Sequence, residues 1–488
     1  MAYKYKSITQ LLVFKKIVYH FLKMMRGNII FPLFLLPFLL YSLIMKNRIF
    51  IKDLKDNITK EVILAGYVDV RRDQGKMVFF EFRDMTGKVQ CVVLPNHTEA
   101  IEKAKEIRPE WVLKVTGIVN KRPEKNIKTD VPNGDVELEV TGIEVLSAAQ
   151  ELPFGSDAEL NLDTLLDYRP LTLRREREKE IFKTQQVIMT AFREYLDNNN
   201  FTEFQAPKIV GGDAEGGAGV FKLEYLYEQP AYLATSPQLY KQMMVGVYER
   251  VYAAGPQFRA EKHATTRHIN EISMLDFEMG FIEDHNDVME VLEGSIKHIV
   301  NKVKENCEAS LKLFNIDLPK IPEKFPVMKL REAQELIKKE TGKDKTNEPD
   351  LEPEDERWLC EYSVKEFGSD FIFITHYPVS KRPFYTMEDF EDKGFTKSFD
   401  LLFRGVEITS GGQRVHDYEM LVGKMKEKGL DPEKFDFYLM AFKWGLPPHG
   451  GIGMGLERLT QKFLGIENIK EATLFPRDVN RIDKRLSE

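Results

Sequence analysis

Three short segments carry most of the chemistry legible in this chain. The first is Phe258-Arg259-Ala260-Glu261, followed by His263, Thr265, Thr266, Arg267 and His268. An arginine leaves one strand-like run, a charged loop follows, and Arg267-His268 return before a second run over 272–278. Two arginines, a carboxylate and a histidine on one hairpin suit a polyphosphate and a nucleobase, because guanidinium forks match phosphate oxygens. Standing alone, such a loop is an ordinary solvated hairpin tip. The second segment is Glu407-Ile408-Thr409-Ser410-Gly411-Gly412-Gln413-Arg414. Glu407 and Ser410 can place two oxygens on Mg²⁺, a hard cation that keeps waters and phosphate oxygens as its other ligands. Arg414 offers a planar fork for a carboxylate. The third segment is Gly450-Gly451-Ile452-Gly453-Met454-Gly455-Leu456-Glu457-Arg458. It fails the dinucleotide fingerprint, because Leu456 stands where the third glycine belongs. Its glycines admit a ligand close to the backbone, and Arg458, early on a helix, can reach a phosphate. A glycine-rich turn with a salt-bridged arginine is the plain alternative.

These residues need elements to hold them. Short-period apolar runs over 62–70, 77–83, 89–94, 112–119 and 136–145 predict strands, with turns at Asp73-Gln74-Gly75, Met85-Thr86-Gly87 and Pro132-Asn133-Gly134. A helix-like stretch over 98–107 falls after the third run. Five strands with a helix in that place is the order of an OB-fold barrel, with another small β-barrel as the alternative. Residues 148–167 read as a hinge. A helix is expected over 174–198, with Ile181, Val187, Ile188, Ala191, Phe192, Tyr195 and Leu196 on one face. A strand over 201–210 contains Pro207. Strands and loops are expected over 223–282, a helix over 287–303, an acidic surface loop over 347–356, and a last helix near 456–464. The class is α+β: a β-barrel over 47–147, then a larger domain over 168–488.

At 488 residues the chain exceeds one ordinary core, in keeping with at least two domains. Its net charge of −7 argues against a protein that merely coats nucleic acid, so any RNA contact uses local patches. Cys91, Cys307 and Cys360 lie far apart, which predicts neither a disulfide framework nor a zinc site and fits a reducing compartment. The N-terminus differs from the rest. Residues 29–44 are apolar apart from Pro32, Pro37 and Ser42, and are flanked by Lys23, Arg26, Lys46 and Arg48. A spanning helix needs about 20 apolar residues. Three readings stand: a non-native extension before a start at Met45, a membrane anchor if the segment is retained, or a targeting segment. The chain beyond Met45 reads as cytoplasmic.

Taken together, the three segments resemble the motifs of class II aminoacyl-tRNA synthetases. Phe258–Glu261 with Arg267-His268 resembles motif 2, and Gly453–Arg458 resembles motif 3. The helix ending near Asn198 and the run containing Pro207 resemble motif 1, the dimer-interface element, which implies a homodimer. A barrel ahead of the catalytic domain marks the aspartate, asparagine and lysine branch. Ser236-Pro237-Gln238-Leu239-Tyr240-Lys241-Gln242, His376-Tyr377-Pro378, Arg382-Pro383-Phe384-Tyr385 and the Glu407–Arg414 run resemble the aspartyl enzymes. The resemblance spans about 47–478. With no large insertion between motifs 2 and 3, the chain is similar to the shorter archaeal and eukaryotic type, some members of which also charge the asparagine tRNA. Asparaginyl enzymes and a non-catalytic RNA-binding relative are the alternatives.

That resemblance implies ATP and Mg²⁺ as cofactors and L-aspartate and tRNA as partners. It implies that Arg259, Glu261 and Arg458 act at the reacting centre, with Arg267, His268, Glu407 and Gly455 completing the ATP site. Glu215, Gln238, Lys241, Arg259, Ser410 and Arg414 are implied to bind aspartate, and Glu407 and Ser410 the metal. On the barrel, Arg72, Phe79 and Gln90 stand where the family contacts anticodon bases. The family carries an aromatic two residues after the glutamine; this chain has Val92.

Overall fold

The computed structural model describes residues 47–486 apart from 130, 132, 156, 213–218 and 264. The apolar segment 29–44 and Glu215 lie outside the described residues. No helix among those described is long and apolar enough to cross a membrane. The chain divides into two compact units between Glu159 and Leu160.

The first unit is a closed barrel of β1 (Glu61–Gln74), β2 (Met77–Asp84), β3 (Gly87–Val93), β4 (Val112–Lys121) and β5 (Val136–Ser147), ordered β1-β2-β3-β5-β4. Alternation builds it: Val78, Phe80 and Phe82 point inward beside Val89, Cys91 and Val93, while Phe79 and Glu81 face outward; Arg83 and Val92 are buried out of that pattern. The helix Thr98–Glu106 follows β3 and buries Ala100, Ile101 and Ala104 on the same core. β1 runs four residues past the expected end, because Arg72, Asp73 and Gln74 continue to pair with β2 around a turn at Gly75, where φ is +63°.

The strands of the second unit are β6 (Thr202–Glu203), β7 (Ile209–Val210), β8 (Lys222–Glu224), β9 (Pro230–Leu233), β10 (Arg250–Phe258), β11 (Glu271–Gly280), β12 (Val327–Lys329), β13 (Phe371–Thr375), β14 (Ser398–Phe403), β15 (Val406–Arg414) and β16 (His449–Gly455). A largely antiparallel sheet runs β12-β13-β14-β15-β16-β11-β10-β6, and β7-β9-β8 form a small separate sheet. The expected strand over 201–210 is thus two strands in different sheets, with Pro207, which lacks the N–H a ladder needs, between them. Helices Glu176–Asn198, His285–Asn306 and Leu456–Phe463 cover one face and bury Ile188, Phe192, Leu292, Ile296 and Leu459 against Leu275, Phe277, Ile452 and Met454.

Two helices interrupt what the sequence suggested was irregular. Gln238–Tyr248 is helical within the stretch read as strands and loops, and Ser236 Oγ accepts from the Gln238 N–H (3.1 Å) at its start. Pro353–Phe367 begins inside the stretch read as an acidic loop. Pro353 is pre-set for a first turn, and Glu352 and Asp355 form a capping box. The glycine run 449–455, read as a lead into a helix, is itself the central strand β16.

Candidate active site

The sheet register sets two rows of facing residues on the side away from the covering helices. One runs Asp276, Gly453, Ser410, Asp400 across β11, β16, β15 and β14; the next runs Glu278, Gly451, Gly412, Ser398. A cavity of about 310 Å³ lies over these rows. The glycines of β16 leave room for the neighbouring acids. A Cβ at Gly451 would collide with the Glu278 carboxylate, and one at Gly453 would come within 3.1 Å of Asp276 Oδ1. At Gly455 a Cβ would meet only Arg458 Cβ at 3.5 Å, so protein packing alone does not demand glycine there.

At one end of the cavity two buried cations face two buried acids. Lys241, from the Gln238 helix, donates to Asp276 Oδ1 (3.1 Å) and to the Ile452 carbonyl (2.7 Å), with Glu278 Oε2 at 3.5 Å. Arg414 donates through Nε to Glu278 Oε1 (2.9 Å) and through Nη2 to the Gly451 carbonyl (2.8 Å). Burial alone would raise the Glu278 carboxyl; Arg414 and then Lys241 overcome that and hold it below the usual carboxylate range. Gln238 donates to Gln242 (3.0 Å), which also takes a hydrogen bond from Tyr438 and contacts His449.

At the other end the β10–β11 hairpin supplies the phosphate-binding candidates. Its neck is fixed by Asn270, whose carbonyl accepts from the Arg259 N–H (2.8 Å) and whose amide donates to the Arg259 and Glu261 carbonyls (2.7 and 3.1 Å). Arg259 Nε is buried with no acceptor among the described residues, a donor that a ligand oxygen would satisfy. Arg267 is already engaged, donating to Glu356 Oε2 (2.9 Å) and the Gly405 carbonyl (3.2 Å). His268 lies 2.6 Å from Thr265 Oγ1. Burial lowers its pKa, reinforced by Arg458, His263 and Arg267 against the opposing pull of Glu261.

Between these ends Arg458 donates to the Glu407 carbonyl (2.6 Å). Desolvation in the cavity and then the Asp400 charge push the Glu407 carboxyl upward against Arg458 and Arg382, although its side chain is still 37% exposed. Ser410 Oγ donates to Asp400 and lies 3.4 Å from Glu407 Oε1. Two facing carboxylates and a hydroxyl, one acid already strained upward by the other, form a donor set that fits a hard divalent cation.

The structure thus gathers Arg259, Glu261, Arg267, His268, Gln238, Lys241, Glu407, Ser410, Arg414, Gly455 and Arg458 around one cavity. Sequence reasoning missed Asp276, Glu278 and Asp400. A signal existed: Met274-Leu275-Asp276-Phe277-Glu278-Met279 and Phe399-Asp400-Leu401 set acids at strand spacing inside apolar runs, where a burial cost without a partner is prohibitive. In the barrel unit, Arg72 pairs across β1–β2 with Phe79, which pairs with Val92, and Gln90 pairs with Glu81 one row along. Phe79 is half-buried on the outer wall, Arg72 is exposed, and Gln90 donates to Glu137 Oε2 (3.3 Å).

Comparison with known proteins identifies the family of both units. Residues 161–479 match the model of the class II tRNA synthetases (D, K and N), and residues 62–146 that of the OB-fold nucleic acid binding domain. The aspartate–tRNA(Asp/Asn) ligase of Thermus thermophilus is 44% identical over 439 residues, covering 89% of this chain and 99% of its own. The aspartate–tRNA(Asp) ligase of Picrophilus torridus is 41% identical over 439 residues, with the same two shares. Among solved structures, the asparaginyl-tRNA synthetase of Pyrococcus horikoshii complexed with asparaginyl-adenylate superposes with a TM-score of 0.82 at 33% identity, covering 89% of this chain and 99% of that one. The aspartyl tRNA synthetase of Entamoeba histolytica gives 0.79 at 32%, covering 89% and 92%. Matched over 161–479 by that family's model and 41–44% identical over most of its length to these relatives, the chain belongs to the class II tRNA synthetases, in the group of the aspartate–tRNA ligases.

Proposed function

We propose that the protein joins L-aspartate to tRNA in two steps, and that Lys241 and Arg414 choose the amino acid. In the first step an α-carboxylate oxygen of aspartate attacks the α-phosphorus of ATP, and pyrophosphate leaves as the bond to the β-phosphate breaks. In the second the terminal adenosine hydroxyl of tRNA attacks the aspartyl carbonyl and AMP leaves. Such chemistry needs positioning and charge neutralisation more than a protein nucleophile. Arg259 bridges the α-phosphate and the amino-acid carboxylate, using the Nε that has no acceptor among the described residues. Glu261 holds the adenine amino group or orients Arg259. Arg267 and His268 grip the outer phosphates, Arg267 by exchanging Glu356 for a phosphate oxygen and His268 by donating from a ring N–H. Arg458 stacks on adenine or meets the γ-phosphate, beside the open backbone of Gly455. Glu407 and Ser410, joined by Asp400, hold Mg²⁺, which neutralises phosphate charge when bound. Glu215 accepts from the substrate ammonium.

The observation that carries the aspartate reading is the buried Lys241–Arg414 pair at the closed end of the cavity. A side-chain carboxylate accepts from both cations, whereas the NH₂ of asparagine turns a donor toward a donor. Pairing of that kind rejects a wrong partner by roughly 10⁴-fold. Pyrophosphate exchange with aspartate, asparagine and lysine tests it: exchange with aspartate alone is expected, and equal exchange with asparagine would refute it. Arg72, Phe79 and Gln90 read the anticodon from the barrel wall. A second reading has the enzyme charge the asparagine tRNA as well; it is favoured by relatives, such as the one from Thermus thermophilus, that are named for both tRNAs. Charging each tRNA separately decides between the two. The motif 1 elements support a homodimer, and sedimentation in solution tests it. A cytoplasmic location follows from the same function.

A further inference from the structure

We propose that Arg382 is a counter-cation built into the carboxylate pair, and that it competes with the divalent cation for Asp400 so that the cation binds tightly only together with nucleotide phosphates. The inference rests on reading Asp400 and Glu407 as the metal-binding pair. Arg382 comes from the connection between β13 and β14. Its Nη2 lies 2.8 Å from Asp400 Oδ2, and its Nη1 donates to Ser410 Oγ at 3.3 Å. The guanidinium lies over the Tyr377 ring, 3.9 Å from its centroid, which steadies the fork. Both partners are largely withdrawn from water, at 15% and 6% side-chain exposure, so their attraction is weakly screened. Nη2 meets Asp400 as an ion pair without aligned hydrogen-bond geometry, and Nε has no acceptor among the described residues, so these do not satisfy the whole fork.

The charge count gives the consequence. Asp400 and Glu407 supply at most two negative charges; Arg382 on Asp400 and Arg458, 4.0 Å from Glu407, supply two positive ones. The cluster therefore carries no net negative charge before any ion arrives. Adding a dication alone would leave its two positive charges uncompensated beside Asp400 and Arg382, which are largely withdrawn from water, and that is costly. Nucleotide phosphates bring the missing negative charge. Arg382 then makes the metal site conditional on ATP rather than permanently filled, and it is freed to meet a phosphate oxygen.

Mn²⁺ titrated into the full chain, with free Mn²⁺ read by electron paramagnetic resonance, tests this without relying on turnover. The wild type is expected to bind one Mn²⁺ tightly with a non-hydrolysable ATP analogue and only weakly without it. Arg382→Gln should bind Mn²⁺ without nucleotide at least about ten-fold more tightly than the wild type, and Arg382→Lys, which keeps the charge, within about three-fold of it. A Gln variant that folds and binds no more tightly would overturn the proposal. So would a wild type that binds Mn²⁺ equally well with and without the analogue, an arm that needs no variant to fold. Asp400→Asn separates the two readings: Mn²⁺ binding with the analogue that survives it would overturn the metal assignment itself, and with it the role of Arg382.

Discussion

The decisive side chains are charged residues that have given up water for one another. Arg414 and Lys241 share Glu278, and Lys241 also holds Asp276, so the pocket stays neutral while presenting cationic donors to a ligand. Removing Arg414 takes away the fork and leaves Glu278 with half its compensation. Arg414→Ala should therefore lower kcat/KM for aspartate in pyrophosphate exchange by about 10³-fold or more, while the affinity for an ATP analogue changes by less than about three-fold. Unchanged exchange would remove Arg414 from the pocket. Glu457 offers a separate test through pH. It is buried beside Arg458 and accepts from the Ser273 N–H through both oxygens (3.0 Å each), and burial pushes its carboxyl up to about 7. A raised folded-state pKa means that the protonated acid is favoured by folding. Its contribution is complete below the ordinary value near 4.5 and is lost as pH rises through about 7. Glu457→Gln keeps an acceptor and cannot ionise. The variant should match the wild type in denaturant midpoint at pH 5 and exceed it at pH 8, by on the order of 1–3 kcal/mol in unfolding free energy. Parallel pH curves would show that Glu457 is ionised throughout.

At the scale of elements, what was legible followed periodicity, and what was not depended on neighbours far away in sequence. The barrel strands and the Glu176 helix showed themselves because one face of each is apolar at the right spacing. The Gln238 helix is short, and the signal that starts it is the Ser236 hydroxyl rather than a hydrophobic face. β16 was hidden altogether, since glycines carry no strand propensity. Its place in the centre of the sheet is imposed by β11 and β15 on either side, and Gly451 and Gly453 make room for Glu278 and Asp276, which the sequence places about 175 residues earlier. The motif glycines thus serve the protein's own carboxylates as well as any ligand. Gly453→Ala tests that division. Its Cβ would press on Asp276 Oδ1 at 3.1 Å and Met274 Cε at 3.2 Å, tight contacts that a small shift relieves. The chain should fold, with a raised KM for aspartate as Asp276 and Lys241 move and a smaller change in KM for ATP. Gly451→Ala, whose Cβ would collide with Glu278 and the Phe277 carbonyl, should lower the unfolding midpoint sharply, as overpacking against backbone does. If both variants melt and bind aspartate like the wild type, the glycines are not needed for the acids.

The whole molecule divides its chemistry between two compact units, and that division is itself testable. The cavity residues assigned to adenylate formation lie between Gln238 and Arg458, in the second unit. Those assigned to the anticodon lie on the first, where alternation decides the matter: Phe80 and Phe82 fill the core, and Phe79 is left on the outer wall next to Arg72 and Val92. An outward half-buried aromatic beside an arginine is a stacking platform for an unpaired base, and Gln90 one row along offers an amide to a base edge. Loss of a stacking aromatic costs about 1–3 kcal/mol per base, so Phe79→Ala should raise KM for tRNA in the charging assay by about ten-fold. Gln90→Ala should do the same where a base edge is read, and it also removes the hydrogen bond to Glu137. Neither change touches the cavity, so pyrophosphate exchange with aspartate should stay at the wild-type rate in both. Charging lost with exchange intact places tRNA recognition on this wall, charging intact removes these residues from it, and exchange lost would mean that the two units do not act separately. The same variants can be compared on the aspartate and asparagine tRNAs. If Val92, small where the family has an aromatic, relaxes the reading of the neighbouring base, then Val92→Phe should depress charging of the asparagine tRNA more than that of the aspartate tRNA. Equal effects on both would place discrimination elsewhere in the tRNA.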